Sequence, residues 1–252
     1  MTSSGSSSDP LQGVRLKLAR AQEHLDALKA EVQTFLDSDP VHAYRDKEPK
    51  DGFYIYGIHW GKKPDIRLGL LIGDWATNLR ATLDHLSWQL ALLTTDKPSI
   101  ESTFPIFEKE NVGRFNQRVK QWPDAAKAIA ERMQPFKADG GRKPNEHMLW
   151  LINHLSNTDK HQVIRVAPGQ IRVPGLRPGQ LMIIDSFNDD HIELHVAVSL
   201  DPKTNLEPFL RARVVIAMPE IADGAILDMG VLDRAQDFVR DYAIPAFASF
   251  FP

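Results

Sequence analysis

Cysteine is absent from the 252 residues, and three kinds of chemistry go with it: disulfide frameworks, thiolate metal centres and cysteine nucleophiles. A charge excess of either sign is lacking too. Lys and Arg number 30 against 33 Asp and Glu, for a formal net charge of −3. No global basic field therefore draws the chain to nucleic acid or anionic lipid, and any such contact needs a local patch. No apolar run approaches the roughly 18 residues that a membrane-spanning helix requires. The opening "MTSSGSSSDP" has neither the basic nor the apolar region of a secretory signal and reads as a flexible tail. A cytoplasmic protein with no membrane partner is the expectation. A glycine-rich phosphate cradle, a serine nucleophile elbow, a zinc-protease helix and internal repeats are also missing. What is there is 42% hydrophobic and 25% charged, the composition of a globular protein long enough to bury a large core.

The pattern along the chain predicts an α+β protein. Residues 1–9 form a disordered tail and 10–252 a single α+β unit. Within that unit, 10–162 are mainly helical with a β-hairpin at 41–60, and 163–252 form an antiparallel sheet closed by a C-terminal helix. Asp9 and Pro10 make a good helix start. Leu11, Val14, Leu18, Ala21, Leu25, Leu28, Val32 and Phe35 then recur at alternating steps of three and four. That seam suits either a homodimeric coiled-coil arm or packing against helices of the same chain. "VHAYRDKE", "PKDG" and "FYIYGIHW" read as strand, turn and strand. Tyr54, Tyr56, Ile58 and Trp60 share a face that either stacks bases or lies buried on helices.

A long apolar helix is expected from Asp65 to Thr94. Leu68, Ile72, Trp75, Leu79, Leu86 and Leu90 fall on one side, with Leu70, Ala81, Trp88 and Leu92 nearly opposite. Apolar on both sides, it should lie at the centre of its domain. In the last third, "HQVIRVA", "QIRVPG", "QLMIIDSF", "HIELHVAVSL" and "EPFLRARVVIAM" read as strands. His191, Glu193 and His195 share one strand face at about 7 Å spacing, which is awkward for one tetrahedral ion without further ligands. They are expected to pair across strands with Arg211 and Arg213 instead, so no metal or cofactor is expected. The final helix should kink at Pro245.

The chemistry-bearing stretch is "NLRATLDH", which sets Asn78, Arg80, Asp84 and His85 into that apolar helix. Asp74, Asn78, His85 and Gln89 form one stripe, while Arg80 and Asp84, four apart, can pair. Buried polar groups need partners. The segment "EHMLWLINHLSNTDKH" offers them: Met148, Leu151, Ile152 and Leu155 face the core, and Trp150, Asn153, His154, Asn157 and His161 form a second polar stripe. His147, His154 and His161 rise about 10 Å from one to the next along a helix, which excludes one shared ion. The two stripes are expected to meet in a single locale.

"GDWATNLRATLDHLSWQL" and "LWLINHLSNTDKHQVI" resemble an uncharacterised bacterial family, common in actinobacteria, with an NLRxxLDHLxW helix and an NxDKHR helix. The likeness covers roughly residues 65–165. The spacing from Arg80 to His85 is also similar to the R-x4-H motif of HEPN domains, helical modules that often act as metal-independent ribonucleases. That resemblance implies an RNA partner and a defence or toxin role. His85 would act in acid/base transfer, with His161 beside it, and Arg80 would stabilise phosphate charge. Asn78, Asp84, His154, Asn157 and Lys160 would hold the substrate. The alternative is a non-catalytic binding or scaffold protein in which Arg80 bonds Asp84, and His85 bonds Asn157 or a backbone carbonyl, as a core network.

Overall fold

A computed structural model describes residues 9–48, 50–138, 142–168, 182–187, 191–197, 214–218 and 225–252. The chain is α+β. Its helices are α1 (Gln12–Asp37), α2 (Ile66–Leu92), α3 (Val112–Arg118), α4 (Asp124–Arg132), α5 (Met148–Asp159) and α6 (Gly230–Asp237). Its strands are β1 (Val41–Arg45), β2 (Phe53–Trp60), β3 (Arg165–Pro168), β4 (Met182–Phe187), β5 (His191–Ala197), β6 (Val214–Met218) and β7 (Ala225–Asp228). These elements group into two compact units. One gathers the chain up to Leu28 with Gly69–Ile164 and Gly230–Pro252, the other Lys29–Leu68 with Arg165–Met229.

The first unit is helical. The Asp9 carboxylate accepts the Leu11 N–H at 3.0 Å and so starts α1. The seam packs within its own chain, with Val14, Ala21, Leu25 and Leu28 all buried. A homodimer would need another surface. On α2, Ile72, Trp75, Leu79, Leu83, Leu86 and Leu90 are fully buried. The opposite stripe is not: Leu70, Trp88 and Leu92 are 41–47% exposed, so α2 buries one side, not two. Two buried aromatic and amide groups knit the unit. The Trp75 indole donates to Gln236 Oε1 at 2.9 Å, and Gln236 Nε2 donates to the Leu18 carbonyl. Phe104, Trp122 and Phe247 form a cluster with ring centroids 5.9–6.1 Å apart. Such tilted and edge-on pairs let the positive ring edge meet a negative face.

The C-terminal segment departs from a single kinked helix. After α6 the backbone widens into a π turn over Phe238–Ala243, where the Ile244 N–H reaches the Val239 carbonyl. It tightens into a 3-10 stretch from Pro245 to Phe250. Pro245 lacks the N–H and clashes with a helical carbonyl four residues back, so the regular ladder cannot pass it.

The second unit holds two antiparallel sheets, ordered β1-β2-β5-β4 and β3-β6-β7. Lys50 and Phe53 exchange both backbone hydrogen bonds around Asp51 and Gly52, whose φ angles are 52° and 84°. That left-handed pair is what a two-residue hairpin of the right twist demands. On the aromatic face Tyr56 and Trp60 are buried and Tyr54 is half-buried. The hairpin was expected with the helical half, but β2 pairs along its length with β5, from Phe53↔Ala197 to His59↔His191. A strand edge presents unpaired N–H and C=O groups, and distant β5 supplies their partners. The short β7 escaped the sequence pattern. The expected strand "QIRVPG" and the residues Arg211 and Arg213 lie outside the described residues.

Two glycines on α2 set how closely the chain after α5 can approach. A Cβ at Gly69 would lie 2.1 Å from the Ile164 carbonyl oxygen, and one at Gly73 would lie 1.8 Å from Asp159 Oδ1. Alanine would ordinarily favour an exposed helix by about 1 kcal/mol over glycine. At Gly69 the obstacle is backbone, which cannot swing aside. Gly69→Ala is therefore expected to lower the melting temperature despite the helix propensity gained, as read by thermal unfolding followed by circular dichroism.

Candidate functional site

The segment from Ser99 to Phe107, between α2 and α3, has no regular ladder of its own, so its peptide groups need side-chain partners. Those partners are Arg80 and Asp84 of "NLRATLDH" and three glutamine or serine side chains. Asp84 Oδ1 accepts the Phe104 N–H at 2.9 Å, and Arg80 Nη2 donates to the Phe104 carbonyl at 2.8 Å. Arg80 and Asp84 are themselves 3.0 Å apart, with side chains 15% and 31% exposed. Both polar groups of Phe104 are thus held by one helical turn of α2. Ser87 donates to the Ser102 carbonyl, Gln121 accepts from Ser99 N–H, and Gln134 bonds both the Phe107 N–H and the Pro105 carbonyl. Arg118 donates to the Thr103 hydroxyl. Burial pulls the Arg80 guanidinium below its ordinary pKa, Asp84 opposes that shift and Arg118 adds to it. Arg80 Nη1, also buried, meets no protein acceptor among the described residues.

His85 has a different environment. It is exposed and makes no hydrogen bond among the described residues. The expected bond to Asn157 or a backbone carbonyl is not made, because the ring lies against α1, where a Cβ on Gly13 would come 2.9 Å from Nδ1. His85 lines an open pocket of about 430 Å³ with Asp84, Trp88 and Gln89 of α2. Ile100, Ser102 and Thr103 close its other side. Arg80 is not among the lining residues. Its guanidinium is turned to Phe104.

The second polar stripe does not join the first. Asn157 accepts from Lys160 at 3.1 Å, and Asn157, Lys160 and His161 are all exposed. None of the three is bonded to Asn78, Arg80, Asp84 or His85. His154 stacks on Trp150 with centroids 4.5 Å apart and planes 9° from parallel. Asn78 faces α1, taking Lys17 Nζ at 3.3 Å. The link between α5 and α2 runs instead through Thr77 and Asp159, at 3.3 Å. Gly69 and Gly73, where Ile164 and Asp159 come close to α2, both lie N-terminal to Arg80. Burial raises the Asp159 pKa, Thr77 opposes the shift, and Asp74 adds to it.

No group of three or more metal-ligating side chains occurs among the described residues, and no described helix is long and apolar enough to cross a membrane. Compared with known protein families, curated proteins and solved structures, the chain matches none. The sequence reading missed the Ser99–Phe107 segment as the partner of Arg80. Its signal was the aperiodic "STFPIF" stretch, whose backbone groups had to bond somewhere.

Two outcomes follow from these contacts. Arg80→Ala leaves Asp84 and the Phe104 carbonyl without their partner and should cost roughly 2–4 kcal/mol in denaturant unfolding. His85→Ala, which removes an exposed and unbonded ring, should stay within about 0.5 kcal/mol of the native protein in the same measurement.

His147 caps α5 by accepting the Leu149 N–H on Nδ1 at 3.1 Å, and its ring meets Phe238 edge-on at 5.5 Å. Burial lowers its pKa below 6.5, and Arg142 lowers it further. The folded state therefore prefers the neutral ring. This contribution to stability is complete above pH 6.5 and is lost as pH falls through the depressed folded value. Melting temperature measured from pH 7.5 down to pH 5 should fall more steeply for the native protein than for His147→Asn, which keeps a cap acceptor without a proton to gain.

Proposed function

We propose that the protein is a non-catalytic ligand-binding protein in which Arg80 and Asp84 are a structural clamp and the pocket at His85 is the binding surface. The observation that carries this reading is the double hold on Phe104. A guanidinium committed to a main-chain carbonyl and to its own aspartate has to release the Ser99–Phe107 segment before it can meet a phosphodiester. Transition-state stabilisation favours donors already aimed at the developing charge, and Arg80 is aimed at protein. An open cavity of a few hundred Å³ with apolar walls and a few polar groups is the ordinary form of a small-ligand site.

A HEPN-like ribonuclease is the second reading, and one observation favours it. His85 is exposed, unbonded and on an open pocket beside Asp84, where an acid/base residue needs to be. On that reading RNA is the partner and Arg80 swings out on binding.

The two readings part in one assay. Labelled single-stranded RNA is incubated with the native protein and with His85→Ala in the presence of a chelator. No cleavage by either is expected. Cleavage by the native protein that disappears in His85→Ala overturns the binding reading and installs the nuclease.

A further inference from the structure

We infer that the pocket at His85 takes a neutral, planar nitrogen heterocycle presenting an N–H donor beside a ring-nitrogen acceptor, the edge that an aminopurine carries. This inference rests on the ligand-binding reading above.

The walls call for a flat apolar body. Trp88 is 42% exposed and Ile100 is 92% exposed, and both line the cavity. An indole and a branched aliphatic chain left in water at one opening gain most from a ligand that covers both. The volume of about 430 Å³ lies within the range of sites for ring-sized ligands.

The polar groups specify the edge. Asp84 Oδ1 is taken by the Phe104 N–H and Arg80, while Oδ2 accepts nothing among the described residues. A carboxylate oxygen only accepts, so the ligand must donate to it. Gln89 lines the same cavity and its amide bonds no described residue. It offers one acceptor and two donors, and so answers a ligand acceptor beside the donor. His85 in its neutral form presents one of each.

Charge selects against a cation. The Asp84 carboxylate is already matched by Arg80 at 3.0 Å, and a second guanidinium, Arg118, is bonded to Thr103 in the pocket wall. A cationic ligand would meet a carboxylate whose charge is balanced and a neighbouring positive group. Gly13 then has a positioning part, since any side chain there displaces the His85 ring.

Isothermal titration of the intact chain with adenine, indole and benzamidine tests this. Adenine carries the full edge, indole only the donor, and benzamidine the donor with positive charge. Adenine is expected to bind at millimolar concentration or below, and more tightly than either competitor. Gln89→Leu should weaken it about fivefold, the effect of one hydrogen bond. Gly13→Ala should also weaken it while the melting temperature is retained, because a helical alanine is itself favourable. Equal binding of indole or benzamidine overturns the inference. So does adenine affinity unchanged in Gln89→Leu, or no adenine binding at millimolar concentration. The ligand-binding reading fails separately, on RNA cleavage that depends on His85.

Discussion

One residue, Phe104, organises much of the helical unit through its two backbone polar groups. Its N–H and carbonyl are gripped by Asp84 and Arg80 from a single turn of α2, and its ring is thereby presented to Trp122 and Phe247. The polar hold and the aromatic cluster are two sides of the same residue. Releasing the clamp would orphan buried polar groups and loosen the packing together, which is why the pair belongs to the fold before it belongs to any chemistry.

The same economy recurs with amides. Gln134 bonds Phe107, Pro105 and Ala130 from a nearly sealed position, and Gln236 ties Trp75 to the Leu18 carbonyl. An amide offers donors and an acceptor without the desolvation cost of a charge, so one side chain can serve several peptide groups of an irregular segment. By contrast, the ion pair of Arg20 with Glu23 joins two exposed side chains, and that of Lys127 with Asp124 has an exposed carboxylate, so both add little.

His85 and its pocket sit at the margin of this network. Asp84 belongs to both, one oxygen turned to the clamp and the other without a partner among the described residues. The outward stripe of α2 supplies Trp88, which tertiary packing leaves uncovered. A pocket wall already held by the fold would need little further ordering if a ligand bound there.

Helix and turn positions were legible because they follow from local physics. The three-and-four spacing of Val14, Leu18, Ala21, Leu25 and Leu28 marks a helix whatever it packs on. Asp51–Gly52 marks a tight turn because few residues tolerate positive φ. The i, i+4 pairing of Arg80 with Asp84 is likewise a property of one helix. Which groups those side chains meet was not legible. Helix periodicity says that Asn78, Arg80 and His85 leave α2 in different directions, but not what stands in each direction. Alternation in β2 likewise names its faces and not its neighbour.

The sequence by itself determined the α+β character, the two long helices, the hairpin range and the pairing within a turn, since these depend on residues a few positions apart. Tertiary structure alone decided that β2 pairs with β5, that Arg80 holds Phe104, and that α5 meets α2 through Asp159 and Thr77. Those contacts join residues tens to more than a hundred positions apart. They are chosen by backbone groups that must be paired and by glycines that admit close approach, neither of which leaves a periodic mark in the chain.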